Sequence, residues 1–216
     1  MCLLSGKMPG MKNNSEFFET GVTPVPFWHN FPDLGIKKWI IISSLLFTLG
    51  LVVGVFTPGV DLFSSLENLT EIADDVAVLS PLGLFIFFVV NNIFKVVMSF
   101  ILSSLLCIFP LVSLILNGWL ISGVGHLIVE QYSFGFFMMG IIPHGIFEIP
   151  ALIIGQAAAL SFGCMAIASI FSSEKRAKLL PNFRENVKYL GVAAGLLVIA
   201  AVVEAFITPS ILNLFI

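Results

Sequence analysis

Five stretches of this chain, near residues 38–56, 82–103, 105–124, 134–171 and 189–209, are each long and apolar enough to cross a lipid bilayer. A helical crossing takes about 20 such residues. Hydrocarbon offers no partner to a backbone N–H or C=O, so a span of this kind satisfies its own hydrogen bonds as a helix. The expected fold is therefore all-α, a polytopic transmembrane helix bundle with about five crossings. Composition agrees: 58% of residues are hydrophobic and 11% are charged, where a soluble domain carries about 25% charged residues.

The fourth stretch is too long for one simple crossing and contains Pro143 and Pro150. Proline lacks the backbone donor and clashes with the preceding turn. A proline-broken or re-entrant element at 134–150 is expected, followed by a full crossing.

Residues 1–36 hold no long apolar run and do not form a signal peptide. They read as a cytoplasmic N-terminal segment, with residues 37–216 forming the transmembrane bundle. The aromatics of FWHNFPDLG, 27–35, suit the headgroup zone just before the first span. Orientation follows from Lys and Arg, which concentrate on the cytoplasmic side. Lys37 and Lys38 precede span one; Lys175, Arg176, Lys178, Arg184 and Lys188 follow span four. The segment 57–80 has five acidic residues, no basic one, and the glycosylation sequon NLT at 68–70. Five crossings, with the N-terminus cytoplasmic and the C-terminus outside, put every basic cluster inside the cell, and the protein in the cell membrane as a multi-pass component. A six-crossing arrangement moves one cluster outside unless the 134–148 arm re-enters.

Several classes are disfavoured. The net charge is −3 without a long basic block, so no nucleic-acid partner is indicated. Cys2, Cys107 and Cys164 have no CxxC spacing and suggest neither a disulfide framework nor a zinc–thiolate site. No GxxxxGK[ST] loop occurs, and Ser122 and Ser161 lack the setting of a catalytic serine.

The candidate site lies in polar residues that interrupt the apolar runs: Asn91, Asn92 and Lys95 in span two, Asn117 in span three, His144 and Glu148 in IIPHGIFEIPALIIG at 141–155, and Glu204 in span five. A lysine at mid-membrane costs at least ~2.5–3.5 kcal/mol, so it should face protein or water. His144 and Glu148 are one helical turn apart and share a face. Gly155, Ala159 and Gly163 continue that stripe, and Gly191 and Gly195 repeat the small-residue spacing in span five. Such spacing lets helices approach closely, within one chain or in a homodimer. His144, Glu148 and Glu204 offer up to three ligands to a divalent metal. No cofactor is implied beyond that metal, and no H-E-x-x-H motif is present. The same residues fit a proton relay or ion pathway, or an internal network that fixes helix order.

NN at 91–92, NG at 117–118, PHGIFEIPA at 143–151 and IAAVVEAFITP at 199–209 resemble the stage II sporulation protein M family of membrane proteins. The resemblance covers most of 38–209 and rests chiefly on the PHGxxE core, with matching positions Asn91, Asn92, Asn117, Gly118, Pro143, His144, Gly145, Glu148 and Glu204. It implies a membrane scaffold that works with cell-envelope partners; the namesake acts beside peptidoglycan-degrading proteins during forespore engulfment. It assigns no catalytic residue. The leading expectation is a non-enzymatic component of a membrane complex, with membrane or cell-envelope protein partners. A transporter or ion- or proton-conducting subunit is the alternative, and a metal-dependent intramembrane enzyme stands third. A cavity reaching His144 favours the second or third; a dry, fully paired centre favours the first.

Overall fold

Serines start three of the long helices. Ser80 accepts a hydrogen bond from Gly83 N, Ser133 from Phe136 N and Ser172 from Lys175 N. Each satisfies one of the amide groups that a helix start leaves open. Pro81 follows Ser80 at a first-turn position where its missing donor costs nothing. The computed structural model describes residues 34–57 and 79–212. The helices are α1, Ile36–Phe56; α2, Pro81–Leu106; α3, Ile108–Gln131; α4, Phe134–Phe171; and α5, Ser173–Val202. A π-helical turn, Val203–Ile207, and the short α6, Thr208–Leu212, continue α5. No strand occurs among the described residues. Five of these helical segments are long and apolar enough to cross a membrane. The aromatic segment 27–33, the NLT sequon and most of the acidic 57–80 segment lie outside the described residues.

The α4 helix is the axle of the bundle, in contact with every other element. In its most apolar stretch 67% of residues are buried, against 17–33% in the other four spans. Its small residues explain this: Ala151, Ala157, Ala158 and Ala159 are fully buried. The expected break at 134–150 is absent. The helix runs without interruption through Pro143 and Pro150 for 38 residues. Each proline removes one backbone donor, but neighbouring helices hold α4 on several sides, and protein-packed helices tolerate that loss. At about 1.5 Å per residue α4 is roughly 57 Å long, longer than the ~30 Å hydrocarbon core.

A second difference concerns the basic segment. Lys175, Arg176, Lys178, Arg184 and Lys188 do not form a loop; they lie within α5, which begins at Ser173 and not near residue 189. The segment is rich in Glu, Lys, Arg, Ala and Leu, which favour helix. Glu174 and Lys178, 3.0 Å apart at i,i+4, add a supporting pair. One residue, Ser172, separates α4 from α5.

Small residues set the closest helix approaches. A Cβ on Gly118 of α3 would stand 2.3 Å from Phe47 O of α1, and one on Gly163 of α4 would stand 2.5 Å from Ser103 O of α2. The small-residue stripe of α4 thus serves packing inside the chain. Gly191 and Gly195 do not: a Cβ there would meet nothing within 4 Å. The small-residue spacing in α5 therefore faces away from the bundle. Cys107, φ 56°, links α2 to α3 in the left-handed conformation, and its sulfur lies 3.6 Å from that of Cys164 on α4.

Candidate functional site

The polar residues of three elements meet beside α4. Its one-turn spacing sets His144 Nε2 4.0 Å from Glu148 Oε2. Across the helix interface, Asn92 Nδ2 of α2 donates to Glu148 Oε1 at 3.4 Å, and Asn91 donates to Asn92 Oδ1 at 3.5 Å. Lys95, one turn further on α2, stands close enough for its charge to act on both Glu148 and Glu204.

Glu204 arrives by a different device. Pro209 cannot donate to the carbonyl four residues back, and its ring crowds that carbonyl. The helix widens into the π turn Val203–Ile207 just before it. Such turns re-aim side chains and recur at functional sites. Here the turn carries Glu204, and ligand-capable atoms of His144, Glu148 and Glu204 all lie within 4.8 Å of one another. Among the described residues no other three metal-capable side chains converge in this way.

The cluster is only partly satisfied. The His144 side chain is 14% exposed and that of Glu148 32%. His144 Nδ1 is buried without a hydrogen-bond partner; an orphaned buried polar atom costs about 1–3 kcal/mol. A cavity of about 240 Å³ reaches His144, Glu148 and Asn117 between α3 and α4. It shares Ile121 and Ile141 as walls with a second cavity of about 400 Å³, which extends to His126 and Phe134 near the α3–α4 turn. At that outer end His126 Nε2 and Glu130 Oε1 pair at 3.2 Å, both well exposed. The two cavities are neighbours along the α3–α4 interface.

The opposite side is closed by polar packing. Gln156, fully buried, accepts from Ser99 Oγ of α2 at 2.5 Å and donates to Ser113 Oγ of α3 at 3.0 Å. Asn117 donates to the Ser113 carbonyl at 2.7 Å and so joins this layer to the cavity wall. Replacing Gln156 with Leu keeps most of the volume and deprives both serines of this partner. The expected loss is about 1–2 kcal/mol, read as a fall of roughly 2–8 °C in the unfolding midpoint in detergent.

Asn91, Asn92, Lys95, His144, Glu148 and Glu204 thus form one neighbourhood, and Asn117 borders it through the cavity. Sequence reasoning missed Gln156, although it lies two further turns along the face of His144 and Glu148, a spacing of four that repeats through residue 152. It also missed the Cys107–Cys164 approach, for which no sequence signal exists. Ser161 accepts from Asn182 and Asn186, and Ser122 donates to Leu51 O; both tie helices together.

Fold and site together define a multi-pass membrane protein with a buried polar centre. The family model of stage II sporulation protein M matches residues 43–209, and the chain belongs to that family. It is 27% identical over 180 residues to uncharacterized protein MJ0793 of Methanocaldococcus jannaschii, covering 82% of this chain and 97% of that one. It is 28% identical over 186 residues to uncharacterized protein MJ0706 of the same organism, covering 80% and 82% of the two chains. No solved structure matches it.

Proposed function

We propose that this protein is a multi-pass subunit of a membrane complex that binds a cation or proton at His144, Glu148 and Glu204, reached from one side of the membrane. The observation that carries this reading is the cavity touching His144 and Glu148. A carboxylate pair and an imidazole inside a membrane are costly, and their usual return is a route or store for ions. The Gln156 layer supports one-sided access, because its side chain is fully buried and bonded to Ser99 of α2 and Ser113 of α3.

Lys95 supports the complex. It lies near the middle of α2, yet its side chain is exposed in the single chain. Lipid contact at that depth is unfavourable, so a partner surface or a second copy of the chain covers it. Loop charge supports a cytoplasmic N-terminus and an outer C-terminus, so the cavity opens outward at the α3–α4 turn.

A scaffold without ion traffic is the second reading. The Asn92–Glu148 hydrogen bond and the nearby Lys95 charge favour it, since they partly compensate the cluster internally. Reconstitution into liposomes separates the two. A cation- or proton-handling subunit moves charge or protons under an imposed gradient above empty vesicles; a scaffold leaves the gradient unchanged.

A further inference from the structure

We infer that His144, Glu148 and Glu204 form a binding site for a divalent transition-metal ion of the zinc or manganese type, loaded from the side of the neighbouring cavity that His126 lines. This rests on the cation-binding reading and narrows it from any cation or proton to one class of ion.

The donor set argues for the class. One imidazole nitrogen and two carboxylates suit borderline divalent ions such as Zn²⁺ and Mn²⁺ better than Ca²⁺ or Mg²⁺, which prefer oxygen-only shells. Spacing argues that the ligands reach. Metal–ligand bonds of about 2.0–2.2 Å set two ligand atoms roughly 3.3–4.4 Å apart. The atoms here lie within 4.8 Å of one another, so small side-chain rotations complete the contact. His144 turns Nε2 toward Glu148, 4.0 Å from its Oε2, so a nitrogen and a carboxylate oxygen already face one another. The cavity of about 240 Å³ beside His144 and Glu148 leaves room for water at the remaining coordination positions.

Three protein ligands leave the fourth position of a tetrahedral ion to water, unlike closed structural sites, which take four. The entry route carries its own donors. His126 lines the outer cavity and pairs with Glu130 at 3.2 Å, both exposed. Lys95 sits near the same carboxylates and competes with the ion for them.

The test uses the full-length protein in detergent, stripped with a chelator. Co²⁺ is titrated while its visible absorption is followed, and Zn²⁺ is then added as competitor. The expected result is one Co²⁺ per chain, with a d–d band of nitrogen–oxygen coordination that Zn²⁺ abolishes. His144→Ala and Glu204→Gln each weaken binding at least tenfold, and Lys95→Met tightens it. Absence of the band in wild-type protein that is monodisperse and helical overturns the inference without requiring any variant to fold. So does binding that both ligand variants leave unchanged. If proton flux in liposomes persists while Co²⁺ fails to bind, the metal assignment falls and the broader reading stands. If Co²⁺ binds and no flux occurs, the site stands and transport falls.

Discussion

Replacing Glu148 with glutamine is expected to lower cation affinity, and flux in liposomes, by about 100-fold or more. Glutamine keeps the shape and the acceptor that Asn92 uses, so the fold is retained. What disappears is one of two anionic oxygen donors beside His144. Truncating one partner of a hydrogen-bonded charge contact in a binding site costs about 2–5 kcal/mol of affinity, and each 1.4 kcal/mol is about a factor of ten. The change also leaves Lys95 facing Glu204 with less negative charge to share. Equilibrium binding and uptake, measured on the same preparation, check this directly. Wild-type uptake in the variant places the functional carboxylate elsewhere.

The largest stability effect is expected at the α1–α3 crossing. Gly118→Ala adds a Cβ that would sit 2.3 Å from Phe47 O and 2.8 Å from Leu51 N. Both are backbone atoms and cannot rotate away. The helices must separate, which opens gaps along Gly50 and Ser122. Overpacking of flexible side chains costs about 1–3 kcal/mol, and a backbone obstacle belongs at or above the top of that range. The unfolding midpoint in detergent should fall by roughly 6–12 °C for ~3 kcal/mol. Gly191→Ala is the matched control. Its Cβ meets nothing within 4 Å, and glycine-to-alanine in a helix gains about 0.5–1 kcal/mol. Its midpoint should hold or rise slightly. Equal losses at both positions would contradict the packing.

The five long helices were legible because an apolar run of sufficient length has one solution in lipid. Their ends were less so. The start of α5 hides in a charged segment that the bilayer argument treats as loop, whereas helix propensity and the Ser172 cap carry the helix through it. The unbroken α4 was hidden for the opposite reason: proline is a local signal, and the surrounding helices that hold Pro143 and Pro150 in register are not. The candidate site was visible because each charged or amide residue stands out against apolar neighbours. Its pairings were not, since they depend on how each helix is rotated. The same uncertainty explains why Gly155 and Gly163 pack inward while Gly191 and Gly195 face open space, although their spacing reads alike. A π turn cannot be counted from periodicity, so the delivery of Glu204 toward His144 emerges only in the folded chain.

The central claim is that the His144–Glu148–Glu204 cluster is a ligand site inside the membrane and not a filled internal brace. The most direct measurement treats the protein in native membranes with a hydrophobic carbodiimide, which modifies carboxyl groups in apolar surroundings, and maps the adducts by mass spectrometry. The account predicts modification at Glu148 or Glu204, with prior Zn²⁺ or Mn²⁺ suppressing it severalfold. Both carboxyls remaining unmodified would contradict it; modification indifferent to either ion would overturn the metal assignment alone.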